Sequence, residues 1–378
     1  MFELKIVPRV RDVPKEAWDA LVAENDSPFV EHAWLDCLEE AGCVGRGTGW
    51  LPCHFTLYRD EKLVAVAPAY LKGNSEGEFV FDWSWADLAA RIGASYYPKL
   101  VFAVPFTPAA GARVLVSQEI GRNDAIRAMS IAAVQVLPEL EASGAHVLFP
   151  REEEAAAWEA NGFLRRHGVQ FQFSNPGYRD VEDFLKTLPT KKRTQLRREM
   201  KQPAKDGVEI RTLTKDEYKD PLAIRDMFRF YLTTVDKFMW GRRYLNKKFF
   251  ELVAERFSHR LAWVLAKKDG RAVAGAFNVK KNKTLYGRYW GTDVELPFLH
   301  FNVCYYHGIK ECIAEGLERF EPGAGGEHKR VRGFDPTLTN SVHYVRDARM
   351  RKILTAHLEQ EREHLRSYVE SGGGDDEP

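Results

Sequence analysis

One stretch of this chain is written twice. Tyr58-Arg-Asp-Glu-Lys-Leu-Val-Ala-Val-Ala-Pro-Ala-Tyr-Leu-Lys72 and Ala266-Lys-Lys-Asp-Gly-Arg-Ala-Val-Ala-Gly-Ala-Phe-Asn-Val-Lys280 each set a polar turn inside an apolar run, which is the pattern of a β-hairpin. Around each copy the periodicities follow one order: strand, helix, helix, strand, strand, strand, helix, strand. A duplication is the economical explanation. It predicts a mixed α/β protein of two similar modules, and 378 residues are enough to give each its own core.

In the first half, strands are expected at Leu4 to Val10, at the hairpin, at Leu100 to Val104, at Arg113 to Val116, at Ala145 to Phe149 and at Val169 to Phe173. Helices are expected from Pro14, from Ser27-Pro28 to Gly42, along the Ile126 to Leu140 face and over Glu152 to Ala160. The segment Gly73 to Asp87 alternates aromatic and acidic residues and reads as a further strand, with Phe79, Phe81, Trp83 and Trp85 on one face and Glu78 and Asp82 on the other. Asn175-Pro176-Gly177 breaks the chain. The expected domains are therefore 1–175, a basic helical linker over 176–206, a second module over 207–370 that includes a long polar helix, and a disordered tail over 371–378.

Charge and motifs exclude several classes. The 55 basic and 54 acidic residues nearly cancel, so any polyanion must be held by a local patch. No run approaches a membrane span and the start lacks a signal-peptide core, so the expected location is the cytoplasm, without stable membrane insertion. Five scattered cysteines without a Cys-x-x-Cys pair fit reduced thiols, and no metal is expected. There is no His-Glu-x-x-His, Gly-x-Ser-x-Gly or Gly-Lys-Ser/Thr motif.

Two segments concentrate charge. Lys191 to Lys201 (KKRTQLRREMK) puts Lys191, Arg193, Arg197, Arg198 and Lys201 on roughly half of a helical circumference, and Lys192, Arg193, Arg197 and Arg198 are candidate contacts for phosphates or transfer RNA. Arg319 to Tyr344 joins a glycine run (Gly323, Gly325, Gly326) to His328, Lys329, Arg330, Arg332 and Asp335. Glycines let backbone amides approach an anion, and the cations supply the field that holds one. The alternative for each segment is a solvated face or surface loop.

The order of elements resembles the Gcn5-related N-acetyltransferase (GNAT) fold, and Trp158-Glu-Ala-Asn-Gly-Phe163 is similar to its closing motif. The whole chain resembles the FemAB-like group of predicted N-acyltransferases linked to peptidoglycan biosynthesis or recognition. Residues carrying the match include Ser27-Pro28-Phe29 with His32 and Trp34, Gly77 to Trp83, Tyr96 to Leu100, Pro105 to Pro108, Tyr286 to Trp290, and Arg319 through His328-Lys329 to Phe334. The resemblance implies two tandem GNAT-like modules, each a mixed central sheet flanked by helices. It also implies transfer of an acyl or aminoacyl group from acyl-coenzyme A or aminoacyl-transfer RNA to an amine on a small molecule or peptide.

Such chemistry needs a base and an oxyanion donor. Glu78, Asp82 and His328 are the candidate catalytic residues, and Lys329, Arg332, Arg288, Tyr289, Trp83 and Asp335 the candidate substrate or donor contacts. The family's glycine-rich phosphate loop is only approximated by Gln118 to Asn123, and it is missing between Asp293 and His300. Two other readings stay open: a non-catalytic module recognising peptide or glycan on a degenerate scaffold, and a transfer RNA binding protein.

Overall fold

Both copies of the repeated stretch fold as antiparallel hairpins in the computed structural model, which describes residues 2–237 and 243–373. At the first tip Asp60 and Glu61 take φ of 51° and 64°, and at the second Asp269 and Gly270 take 50° and 76°. Two successive left-handed residues make the hairpin turn whose twist suits the flanking strands.

By its contacts the chain forms two units, Met1–Val169 together with the chain from Leu338 onward, and Gln170–Thr337. The first unit contains β1 (Phe2–Val7), β2 (Trp50–Pro52), β3 (His54–Arg59), β4 (Lys62–Ala67), β5 (Ala69–Lys72), β6 (Lys99–Phe102), β7 (Leu115–Val116) and β8 (Gly144–Leu148). One sheet runs β1-β3-β4-β7 and another includes β2-β5-β6-β8. Pro68 separates β4 from β5 because it has no N–H to give the ladder; its counterpart in the second copy is Ala276, and there the strand continues. β6 and β8 are parallel, with Leu100 opposite Ala145 and Phe102 opposite Val147. The helix Arg122–Val136 crosses between them and buries Ala125, Ile126, Met129 and Ala133 against the sheet.

The next strand, β9 (Leu164–Ser174), straddles the boundary between the units. The second unit continues with β10 (Val208–Thr212), β11 (Val264–Lys268), β12 (Arg271–Lys281), β13 (Thr284–Thr292) and β14 (Arg319–Glu321). β10 to β13 form an antiparallel meander, and β13 then pairs in parallel with β14. The connection is continuously helical from Leu299 to Glu315: Leu299–Phe301, a π-turn over Asn302–Tyr306, and His307–Glu315.

Each unit is closed by an antiparallel strand beside the second member of its parallel pair. In the second unit Phe173 and Ser174 of β9 pair with β14. In the first, Ser341 to Val345 of β15 (Asp335–Val345) pair with β8. The division therefore differs from the expected one. The chain after Leu338, including the helix Ala348–Glu370, goes with the first unit, because Met350, Leu354 and Leu358 pack against Trp85, Ala89 and Tyr96. The basic helix is part of the second unit rather than a linker. Of the expected tail, residues 374–378 lie outside the described residues.

Gly73 to Asp87 is corrected as well. It is irregular up to Asp82 and helical over Trp83–Arg91. Trp85 and Ala89, four residues apart, are the buried positions, so helical spacing overrode the alternation of aromatics. Among the described residues no helix is long and apolar enough to cross a membrane.

Candidate active site

In the second unit the parallel pairing of β13 and β14 lasts three residues, ending at Tyr286 opposite Glu321. Beyond that point the two strands are no longer paired, and Gly287 sits against the backbone of Pro322, where an added Cβ would lie 3.2 Å from the Pro322 Cα. The register of β12 against β13 passes from Phe277–Tyr289 to Asn278–Gly287, so Arg288 is the extra residue of a β-bulge. Bulges re-aim side chains and are frequent beside active sites. The end of this pairing lies at the carboxyl ends of the parallel strands, where α/β sheets bind ligands.

The start of the following helix has an unusual backbone. Phe298 is left-handed at φ 61°, and the π-turn follows within four residues. Strain of both kinds clusters at functional sites. The irregular start presents His300, Phe301 and Tyr305 together. His300 stacks on Trp290 of β13 at 4.1 Å, and Tyr305 lies 5.3 Å from His300.

The glycine-rich loop completes the cluster. Residues Glu327–Arg332 form a 3-10 turn between Gly326 and Gly333, both at positive φ. His328 is exposed; its Nε2 lies 2.9 Å from the Tyr305 hydroxyl and its ring 6.0 Å from His300. Lys329 is buried and donates to the carbonyls of Gly323 (2.7 Å) and Ala324 (3.2 Å), which ties the glycine run down. Arg332, also buried, lies 3.3 Å from the centre of the Phe301 ring, donates to the His328 carbonyl at 2.7 Å and pairs with Glu199 at 3.2 Å.

These surroundings set the protonation states. Burial, then the positive charges of Lys329 and Arg332, hold His328 below the usual histidine range. Burial, then His328, Lys329 and Arg332, push His300 down to about 4. Burial pushes Lys329 down to about 8 and drives the Tyr305 hydroxyl above the usual tyrosine range. At neutral pH the site holds two neutral imidazoles and a neutral phenol beside two cations.

The helix Thr190–Lys205 buries Leu196, Glu199 and Pro203 and shows its cations outward. Fully burying Leu196 contributes about 1.5–3 kcal/mol toward docking it. Arg193 donates to Thr190, Arg197 pairs with Glu182, and Lys192 is half-buried. Arg198 lies 5.7 Å from the Phe298 ring, so this residue of the expected phosphate face sits beside the start of the helix that carries His300. Of the other candidates, Tyr289 packs edge-on against Tyr231 at 5.1 Å, the Arg288 guanidinium is 5.4 Å from the Tyr289 ring, and Asp335 is exposed at the start of β15.

Glu78, Asp82 and Trp83 belong to the first unit. Both carboxylates are sealed from solvent and share one cation: Lys99 donates to Glu78 at 2.8 Å, to Asp82, and to Ser75 at 2.9 Å. Tyr96 donates to Asp82 at 2.5 Å. Lys72, directly opposite Lys99 in the β5–β6 ladder, lies 3.8 Å from Glu78 and 3.8 Å from the Trp50 ring centre. Glu78 and Asp82, expected as candidate catalytic residues, are thus the counter-charges of two buried lysines. Burial pushes Glu78 up to about 7 and Lys72 down to about 7. Burial also works against ionised Asp82, but Lys99 outweighs it and holds the carboxyl below its usual range. On either side of Asp82, Phe81 and Trp83 are 62% and 58% exposed, their rings 5.1 Å apart.

His300, Tyr305 and Glu199 were not singled out in the sequence, and Trp290 entered only within the Tyr286 to Trp290 block of the family match. Of the first three, His300 alone carried a signal, standing where the missing phosphate loop would meet its helix. Among the described residues no group of three or more His, Cys, Asp or Glu is arranged to hold a metal ion.

Two α/β units, each with a parallel pair bridged by a helix, make this a tandem GNAT-type fold. The family model for FemAB-like proteins, described as peptidoglycan biosynthesis/recognition, matches residues 9–374, and the chain belongs to that family. Its fold is similar to that of FemX, with a TM-score of 0.55 at 11% identity over 93% of this chain and 100% of that one. It is also similar to the C-terminal DUF2156 domain of a putative lysylphosphatidylglycerol synthetase from Agrobacterium fabrum, with a TM-score of 0.55 at 11% identity over 90% and 94% of the two chains. L-PGS from Bacillus licheniformis gives a TM-score of 0.52 at 10% identity over 92% and 96%. No curated protein matches the sequence.

Proposed function

We propose that this protein is an N-acyltransferase that moves an acyl or aminoacyl group from acyl-coenzyme A or aminoacyl-transfer RNA to an amine. The observation that carries the reading is the neutral His328, exposed at the carboxyl ends of β13 and β14 and held by Tyr305 at 2.9 Å. In the tautomer whose Nε2–H donates to the Tyr305 oxygen, Nδ1 carries the lone pair that takes a proton from the attacking amine. The nitrogen forms the new C–N bond, the donor's C–O or C–S bond breaks, and the leaving oxygen or sulfur takes a proton from the medium or the Tyr305 hydroxyl. No covalent enzyme intermediate is needed. Arg198, with Lys192, Arg193 and Arg197 on the same helix, supplies the field for donor phosphates. Arg288, Tyr289, Lys329, Arg332, Trp83 and Asp335 remain proposed donor or substrate contacts. The burial of Glu78 and Asp82 favours His328 as the base.

The lack of glycine between Asp293 and His300 favours aminoacyl-transfer RNA over coenzyme A, and it also keeps a recognition module as the second reading. Protection from thermal unfolding by acyl-coenzyme A and by aminoacylated transfer RNA, assayed separately, distinguishes these. With the effective donor, His328→Ala should lower turnover by about 10²–10⁴-fold while leaving that protection intact. Protection by a peptide or glycan and by neither donor would overturn the enzyme reading.

A further inference from the structure

The basic helix carries a single acidic residue, and it points inward. Glu199 is 1% exposed, whereas the lysines and arginines around it are half-buried or exposed. Its carboxylate accepts from Arg332 at 3.2 Å, from the Tyr306 hydroxyl, and from the Gln195 amide at 2.8 Å. Its backbone carbonyl accepts from Asn302 at 2.9 Å. Tyr306 and Asn302 are the two ends of the π-turn. Arg332 in turn holds the His328 carbonyl at 2.7 Å and covers the face of Phe301. One residue thus ties the phosphate-facing helix to both segments that carry the proposed base and its hydroxyl partner.

We infer that Glu199 is a positioning residue for His328, acting through Arg332 and the π-turn to fix the imidazole relative to Tyr305 and to the phosphate-binding face of the helix. The inference rests on the assignment of His328 as the base only for its catalytic consequence; the positioning itself is a property of the protein without ligands. A solvated helix has no need of a buried anion, and a buried ion pair is weak as a stabiliser because desolvation offsets the attraction. What the arrangement does provide is register. A donor whose phosphates lie along the helix meets the base at a set distance, and small displacements of reacting groups cost rate steeply.

The test uses the full chain without ligands and follows the His328 imidazole by NMR over a pH titration, alongside thermal unfolding. Glu199→Gln should lower the melting temperature, displace the His328 resonances and move its titration midpoint down by about half a pH unit as the Arg332 charge loses its partner. The double variant Glu199→Gln/Arg332→Met removes both charges and should regain most of the melting temperature. Its His328 resonances should stay displaced, and transfer should remain at least about tenfold slower than wild type. A purely structural pair predicts the opposite. If the double variant melts like wild type and its His328 resonances coincide with wild type, the positioning role is overturned. If His328 is displaced as expected while wild type transfers no group from either donor, the positioning stands and the acyltransferase reading fails.

Discussion

At the scale of single residues, the first unit is notable for how many ionisable groups it buries. His146 and His343 stand opposite each other in the β8–β15 ladder, both fully buried, with Nδ1 atoms 2.8 Å apart. That contact holds one proton, so at least the accepting ring must be neutral, and burial disfavours the charged form of both. If His146 donates, His343 Nε2 donates onward to Ser341 at 2.8 Å and only an acceptor, His146 Nε2, lacks a partner. The opposite arrangement would strand a buried donor instead. Burial, then Lys99, pushes His146 down to about 3 despite Asp82; burial, then His146, Arg166 and Lys99, holds His343 well below the usual histidine range. Folded values below the unfolded value of about 6.5 mean that this contribution is complete above that pH and is lost as the pH falls from there toward 3, by about 1.4 kcal/mol per unit for each ring. Melting temperature measured from pH 7.5 to 4.5 should drop steeply below 6.5, and the double change His146→Phe/His343→Phe should flatten that slope. An unchanged slope would remove the pair as its source.

The Lys99 cluster makes a second prediction at this scale. Lys99→Met leaves Glu78 and Asp82 buried without their shared donor, with a Glu78 oxygen and an Asp82 oxygen already lacking a hydrogen bond. Breaking a buried pair in this way costs about 3–5 kcal/mol. Urea unfolding of the variant should show a loss of that size, and a loss under 1 kcal/mol would mean the cluster is solvated. The identities of Glu78, Asp82, Lys72 and Lys99 were plain in the sequence, but their pairing was not. Lys72 and Lys99 are joined by strand register, and nothing local to either reports it.

At the scale of elements, β13 shows what a glycine is for. The helix Pro221–Val235 lies directly on its backbone, and Thr234 donates to the Trp290 carbonyl at 2.6 Å. A Cβ on Gly291 would fall 1.8 Å from the Phe230 carbonyl oxygen and 2.3 Å from Thr233. Both obstacles are held by the helix, so Gly291→Ala must push helix and strand apart at a cost of about 1–3 kcal/mol or more. Chemical denaturation should report it, and a neutral result would show that the helix shifts without penalty. Most elements were legible because periodicity is local. The helix Glu152–Ala160 falls where its acidic start predicts it, and the hairpins fall where their polar turns do. Gly73 to Asp87 was misread because one helical turn of alternating tryptophans looks the same as two strand positions on one face. The π-turn had no sequence signal, since an extra residue in one turn leaves neighbouring apolar spacings nearly unchanged.

At the scale of the whole molecule, the first unit is assembled from both ends of the chain. A protein truncated after Thr337 loses the strand beside β8 and the helix that covers Trp85, Ala89 and Tyr96. Amide exchange in Gly144–Leu148 should then lose its protection while Thr284–Leu285, paired within the second unit, keeps it. Equal protection in truncated and intact chains would mean that β15 is dispensable to the first unit. The duplication pointed to two modules, and that was correct at the level of fold. It also placed Ala348–Glu370 with the module that precedes it in sequence. The helix instead goes with the first unit, because its apolar face matches the Trp85–Ala89 helix.

The sequence by itself determined the α/β class, the repeated order of elements, the family and the existence of a charged glycine-rich loop. Each of these is written in local spacing or in residues close along the chain. Only the tertiary structure decided that Glu199 turns inward to Arg332, that His328 meets Tyr305, and that Glu78 and Asp82 serve buried lysines. Those partners lie 133, 23, 21 and 17 residues apart in the chain. The choice among many possible partners for a charge or a hydroxyl is made by packing, which brings some within hydrogen-bonding distance and removes water from the rest.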